Sequence, residues 1–584
     1  MNISRLGNWK RIALVLIVGV NGATARAPEA TPAARLDALA NRFVKEYVAH
    51  DPTVTYWTGV PTQDHSRFPD RSPKALADFD RLEAKDLAEL NAIDAKALSP
   101  ASRVTYAVLR EQLESDLQVR VCKTELWNVN HMTGWQNNFA DVAEQQPVGS
   151  AVSRSQALQR WKSLPRYVDI EIANLRRGLA ANYAAPKSLV KRVIAQMDTL
   201  SSGDVEKSPF YSPAARDPDP GFRNAFARLL RDSINPALRR YRNFLSEDYL
   251  PHARDGVAMS DLPNGSACYQ ALLRSYTTLN RTPQEVFDLG QRTVEANKAE
   301  VIRLGTALFG TTDFGRIIEM SKARVENHFQ SKDELLQFSR STVLRAKTRT
   351  ATLIDRLPRQ DAVVEPERDF EDAAGASSHY DPNPDVSQPG VFRIELGKWQ
   401  TETRADAELT AVHEVWPGHH LQIALAREIA PQTSISKLSS NSAYIEGWAR
   451  YAEALGEEAG IYETEETKIL RRVWPARGMV VDPGLHAFHW TRQQAVDYLV
   501  ATGRFDPKAA DATVDRIAAM PGQLTAYDSG GLEIKALRAE AEQALGTLFD
   551  LREFNRVVLE SGVVPLTELR FHVMAWIDAR RARG

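Results

Sequence analysis

His413-Glu414-Val415-Trp416-Pro417-Gly418-His419-His420 reads as a metal-hydrolase helix with a break built into it. In the commoner signature, H-E-x-x-H, two imidazoles one helical turn apart reach the same Zn²⁺, and the Glu beside the first acts on water as general base. Here the position four after His413 is Pro417, which binds no metal and breaks a helix interior. The next imidazoles stand six and seven residues beyond His413. In unbroken helix that spacing separates Cα atoms by roughly 9–10 Å, too far for two Zn–N bonds of about 2.0–2.1 Å. Pro417 disrupts the hydrogen-bond ladder and Gly418 admits unusual dihedrals. The spacing therefore predicts a two-residue bulge that brings His419 to the second ligand position and turns His420 elsewhere. The competing reading is a helix end at Pro417 followed by two unrelated surface histidines.

A catalytic zinc site commonly has three protein ligands and one open position. Downstream, Ala443-Tyr444-Ile445-Glu446-Gly447-Trp448-Ala449-Arg450-Tyr451-Ala452-Glu453 reads as a helix. Glu446 and Glu453 share a face but lie nearly two turns apart, so only one of them ligates comfortably. Glu446 adjoins Gly447, where a neighbouring helix can approach closely, and is assigned to the metal. Glu453 is left as a carboxylate that orients a histidine, or as a solvated glutamate.

Together, HEVWPGHHLQ (413–422), AYIEGWARYAE (443–453), VVDPGLHAFHWTRQQAVDYL (480–499), PGQLTAYDSGG (521–531) and, nearer the amino terminus, WNVNHMTGWQNNF (127–139) resemble the bacterial domain-of-unknown-function family 885. The resemblance spans most of the chain after its first residues. It implies a zincin-like fold of the gluzincin kind, with His413, His419 and Glu446 holding one Zn²⁺ and Glu414 activating water. One position departs from the pattern: the family usually has Lys directly after the tyrosine matching Tyr527, whereas this chain has Asp528. A lysine there that helped hold a substrate carboxylate would be missing here, which leaves the substrate preference open.

The 584 residues, 43% hydrophobic and 25% charged, suit a soluble globular chain of two or three domains or one large helical body. A formal net charge of −2 and the absence of a basic patch give nucleic-acid binding no support. Lys10-Arg11, the apolar run Ile12 to Val20 and Ala23-Thr24-Ala25 form a signal-peptide layout covering residues 1–25. The expected location is thus the periplasm or outside the cell, with no stable membrane insertion once the signal is removed. No Cys follows the apolar run to accept a lipid. Cys122 and Cys268 are the two cysteines; the sequence leaves their pairing open and gives both structural roles.

The chain reads as mainly α. Leu36-Leu39-Phe43-Tyr47 and Ala157-Trp161-Leu164-Tyr167 recur at helical spacing. Ser208 to Phe222 is proline-rich and is expected as a loop that overhangs the cleft. A soft boundary near Ser260–Gly265 divides an N-terminal helical region, 26–265, from a catalytic region, 266–584, unless the two form one body. Between Pro358 and Trp399 the helical rhythm fails, and Val391-Phe392-Arg393-Ile394-Glu395-Leu396 alternates like an edge strand. Such a strand, before the helix with His413, would pair with an extended peptide or be a plain structural strand.

Hydrolysis also needs a donor for the developing oxyanion. His486 and Tyr527 lie in the family-like segments and are the candidates; Arg477 and Arg492 are candidates for a terminal carboxylate. The expected function is zinc-dependent cleavage of short peptides. A zinc amidase or esterase, or a non-catalytic periplasmic binding protein with a relict site, are the alternatives.

Overall fold

The computed structural model describes residues 30–201, 204–367, 377–383, 385–429 and 433–583; the signal-peptide segment lies outside them. The helical rhythm of the sequence becomes helix from the first described residues. Thr31 caps α1 (Pro32–His50), accepting the Ala34 amide, with Pro32 at the first position where no amide partner is needed. Its buried stripe is Leu36, Leu39, Ala40, Phe43, Val44 and Val48. Next come α2 (Pro100–Val119), α3 (Gly265–Thr277) and α4 (Lys332–Thr350), among further helices. Cys122, just after α2, is disulfide-bonded to Cys268 in α3.

A small sheet interrupts the helices. Its strands are β1 (Ala362–Pro366), β2 (His379–Asp381) and β3 (Gly390–Ile394), in the order β1-β3-β2. β1 runs parallel to β3, and β2 runs antiparallel to it with Tyr380 opposite Phe392. The strand read from the sequence as an edge is therefore the centre, paired on both sides. Its alternation is real, since Gly390, Phe392 and Ile394 are buried and Val391 and Arg393 are not. That alternation reports one buried face; it says nothing about neighbours in the hydrogen-bonding plane. Among the described residues β1 and β2 are the two outer strands, each paired on one side only.

After the sheet come α5 (Arg404–Glu414), α6 (His419–Ile429), α7 (Ser442–Glu458), α8 (Gly478–His486), α9 (Gln523–Leu545) and α10 (Leu566–Arg581). The largest core does not divide at residue 265. Leu36, Phe43 and Leu109 from the amino-terminal helices share it with Phe392, Trp416, Trp448, Leu537 and Ile577. A second core gathers Phe68, Trp161, Tyr241 and their neighbours. The proline-rich stretch expected to overhang the cleft is packed into this second core instead. Phe210 and Ala214 are fully buried there, because its prolines punctuate short helical turns rather than a free loop.

α7 and α9 cross backbone to backbone. A Cβ at Gly447 would come within 2.6 Å of the Gly530 Cα, and one at Gly530 would collide with the Ala443 carbonyl. The close approach anticipated beside Glu446 is thus made by α9. Gly447→Ala should cost about 1–3 kcal/mol, the usual range for overpacking. A lowered urea midpoint with an unchanged slope would show it; an unchanged midpoint would mean that the crossing yields freely.

Candidate metal centre

α5 begins at a Thr403 cap, which accepts the Asp406 amide, and carries His413 and Glu414 at its last turn. The chain then leaves helical geometry from Val415 to Gly418 and starts α6 at His419. The expected bulge within one helix is in fact an elbow between two. Three contacts hold it: Trp416 is buried in the core, the Trp448 indole donates to the Pro417 carbonyl at 2.9 Å, and Gly418 lies so close to the His413 carbonyl that a Cβ would collide. Neither histidine after the elbow is on the surface, His419 being 8% and His420 0% exposed.

The elbow brings together His413, His419 and Glu446, whose ligand atoms lie within 4.8 Å of one another. The Nε2 atoms of both histidines stand 3.5 Å from the same oxygen, Glu446 Oε2. A tetrahedral ion with bonds of about 2.0–2.1 Å would separate its ligand atoms by roughly 3.3–3.4 Å. Two nitrogens and one carboxylate at that spacing fit Zn²⁺.

Behind the cluster runs a chain of charges. His413 Nδ1 donates to Glu453 Oε1 at 2.9 Å, which leaves Nε2, facing Glu446, as the nitrogen available to a metal. Arg450 Nη1 donates to both Glu453 oxygens, at 2.8 and 2.9 Å, and its Nε lies 3.3 Å from Asp528 Oδ1. Glu453 is thus a buried carboxylate with a task, not a solvated one. Burial opposes its charge, but Arg450 and His413 outweigh burial and hold it below the ordinary carboxylate value. Burial also opposes the His413 cation, yet Glu446 and Glu453 push that imidazole up to about 10. An ion entering the cluster therefore displaces a proton. Asp528 is buried and turned to Arg450, so it belongs to this chain of charges.

Glu414 stands apart from the three. The Tyr380 amide on the outer edge of β2 donates to its Oε2 at 3.1 Å. The Tyr380 hydroxyl meets His420 Nδ1 at 2.8 Å, and His420 Nε2 meets the Gln360 carbonyl at 3.1 Å. A carbonyl only accepts, so Nε2 carries the proton and the phenol donates to Nδ1. Burial keeps this imidazole neutral, its value pushed down to about 4. Both nitrogens of His420 are thus engaged, and its role is to brace β2 beside Glu414. His420→Ala should leave metal content unchanged and cost about 1–3 kcal/mol through the buried groups it orphans. Zinc loss by elemental analysis would make His420 a ligand after all.

His486 does not reach the centre. It is fully buried, accepts the Met259 amide at Nδ1 and meets the Ile517 carbonyl at Nε2, both at 3.1 Å. It is a satisfied structural histidine, and burial pushes its value down to about 3. Tyr527 remains near: its ring lies 5.9 Å from the Arg450 guanidinium, and its hydroxyl accepts from Arg516 Nη2 at 3.3 Å. Of the two arginines proposed for a carboxylate, Arg492 is already committed to carboxylates of the chain. Arg492 is paired with Asp511 and Asp515, and Arg477 donates to the Val473 carbonyl. Arg450, Tyr380 and Arg516 were missed. Arg450 carried one signal, its spacing of three from Glu453 on a helix.

The chain is a mainly helical body with a three-stranded sheet and a His–His–Glu cluster. The family described as "Bacterial protein of unknown function (DUF885)" matches residues 52–573, and the chain belongs to it. No curated protein matches the sequence. Two solved structures share the fold. "The putative lipoprotein from Colwellia psychrerythraea" superposes with a TM-score of 0.84 at 22% identity, covering 94% of this chain and 100% of that one. "A putative lipoprotein of unknown function from Shewanella oneidensis" gives 0.77 at 17% identity, covering 93% and 99%. Among the described residues no helix is long and apolar enough to cross a membrane.

Proposed function

We propose that this chain is a zinc-dependent hydrolase of zincin-like architecture that cleaves peptide bonds in short peptides. One observation carries the reading: two imidazole nitrogens stand 3.5 Å from one carboxylate oxygen, as a tetrahedral ion requires, with a second carboxylate outside the cluster, Glu414, on the neighbouring helical residue. A purely structural site has no use for that carboxylate.

His413, His419 and Glu446 would hold the ion. Zn²⁺ bound there supplies Lewis-acid polarisation of a carbonyl oxygen and lowers the pKa of water. Glu414 takes the proton of the attacking water and returns it to the leaving amine nitrogen. The Tyr380 amide fixes the orientation of Glu414 while it does so. The free edge of β2 runs past Glu414, and an extended peptide is the substrate whose backbone matches such an edge. The Cys122–Cys268 disulfide supports an oxidising, extracytoplasmic compartment.

Elemental mass spectrometry of the purified protein, beside Glu446→Ala, tests the reading first. About one zinc per chain is expected in the parent, as for a single catalytic site, and almost none in the variant. A parent that takes up no zinc when supplied with it would remove the reading. Peptide libraries run against small amide and ester probes then separate a peptidase from an amidase or esterase.

A further inference from the structure

A cavity of about 1380 Å³ opens between α1, α2, α6 and α10. It exceeds the roughly 300–1,000 Å³ of ordinary small-molecule sites and so suits a chain-like ligand. Three of its lining segments are sequence neighbours of the metal centre. Gln422 and Ile423 follow His419 by three and four residues, on the same face of α6. Ile445 directly precedes Glu446, and Pro382 directly follows β2. These segments lead from the cluster to the cavity walls, although the three candidate ligands themselves do not line it.

The lining is largely apolar. Among the described residues, two aromatic side chains stand out as exposed, Trp57 at 51% and Phe571 at 44%, and both face this cavity. The charges at its walls do not cancel. Arg103 is paired with Glu568, and Glu560 with Arg556. Lys96, Lys437 and half-buried Arg427 have no carboxylate within ion-pair distance among the described residues. Arg427 donates instead to the Asn383 carbonyl at 2.5 Å. Its burial lowers the guanidinium, with Tyr380 alone acting the other way.

Resting on the peptidase reading above, we infer that this cavity receives the apolar carboxy-terminal stretch of the peptide substrate, its terminal carboxylate held by Arg427 and Lys437. Apolar walls take the side chains, and the surplus of cations takes the one charge that every unmodified peptide end carries. The residues beyond the scissile bond, released as the amine product, are the ones that occupy it.

Binding is tested without turnover, in Glu414→Gln protein loaded with zinc. An N-acetylated hexapeptide of leucine and phenylalanine, as free acid and as C-terminal amide, is titrated by calorimetry, with the change in tryptophan fluorescence that Trp57→Phe abolishes as a second readout. The free acid is expected to bind at least 10-fold tighter than the amide. Arg427→Met should remove that difference, and Ile423→Asp should weaken both peptides about 10-fold. Equal affinity of acid and amide in the parent overturns the inference, with no variant needed. So does dodecanoate binding more tightly than the peptide acid, which would make the cavity an acyl-chain site. Because no cleavage is read, a protein that binds the acid but hydrolyses nothing keeps this inference and loses the peptidase reading. An active peptidase indifferent to the carboxylate does the reverse.

Discussion

Glu414→Gln is expected to lower peptide turnover by about 10²–10⁴-fold, the usual contribution of a positioned general base, with zinc content unchanged. Gln has the same shape and still offers an oxygen to the Tyr380 amide, so the contact seen at 3.1 Å survives the substitution. What it removes is the ability to take a proton from water. The loss should fall on kcat with KM nearly constant, because the missing interaction is made in the transition state and not with bound substrate. Full activity in the variant would end the assignment of Glu414 as base. Zinc loss would say something different: that Glu414 ligates, and that the role given to Glu446 is wrong.

The parts of this site that helices carry could be read from the sequence. Leu36, Leu39 and Phe43 recur at helical spacing and form the buried stripe of α1. The distance from His413 to His419 is impossible in one helix, and the chain does break there. It breaks into two helices because Trp416 is drawn into the core and Gly418 lets the second helix start against the first. Local spacing carries no information about either partner. Gly447 correctly marked a close helix approach beside Glu446.

The failures share one cause, which is that long-range pairing decides them. β2 is three residues long, too short for any periodicity, yet it presents the amide that meets Glu414. β3 is central only because two distant segments flank it. His486 looks like a candidate acid or donor until Met259 and Ile517, remote in sequence, satisfy both its nitrogens. A buried histidine and a catalytic one have the same local signature; only the partners differ.

Arg450→Met is expected to be the most destabilising of these substitutions, by about 3–5 kcal/mol, the cost of breaking a buried ion pair from one side. Arg450 lies between two buried carboxylates, Glu453 and Asp528. Met replaces most of the aliphatic stem and removes the charge, so both carboxylates lose the guanidinium at once, and Glu453 keeps only His413. Glu453 then no longer has a fixed counter-charge while it holds His413 Nδ1, and zinc affinity should fall by about 10–100-fold, as for other outer partners of metal ligands. Urea unfolding with chelator present isolates the first effect, because zinc no longer contributes by linkage. Zinc titration against a competing chelator reads the second. The double substitution Arg450→Met with Asp528→Asn should recover part of the stability, since it removes one of the orphaned charges, and little of the zinc affinity, since Glu453 still lacks its guanidinium. Recovery of both would place Asp528, not Glu453, as the carboxylate that matters to the metal. A single variant as stable and as tight for zinc as the parent would show that His413 alone suffices to hold Glu453, and that Arg450 contributes packing only.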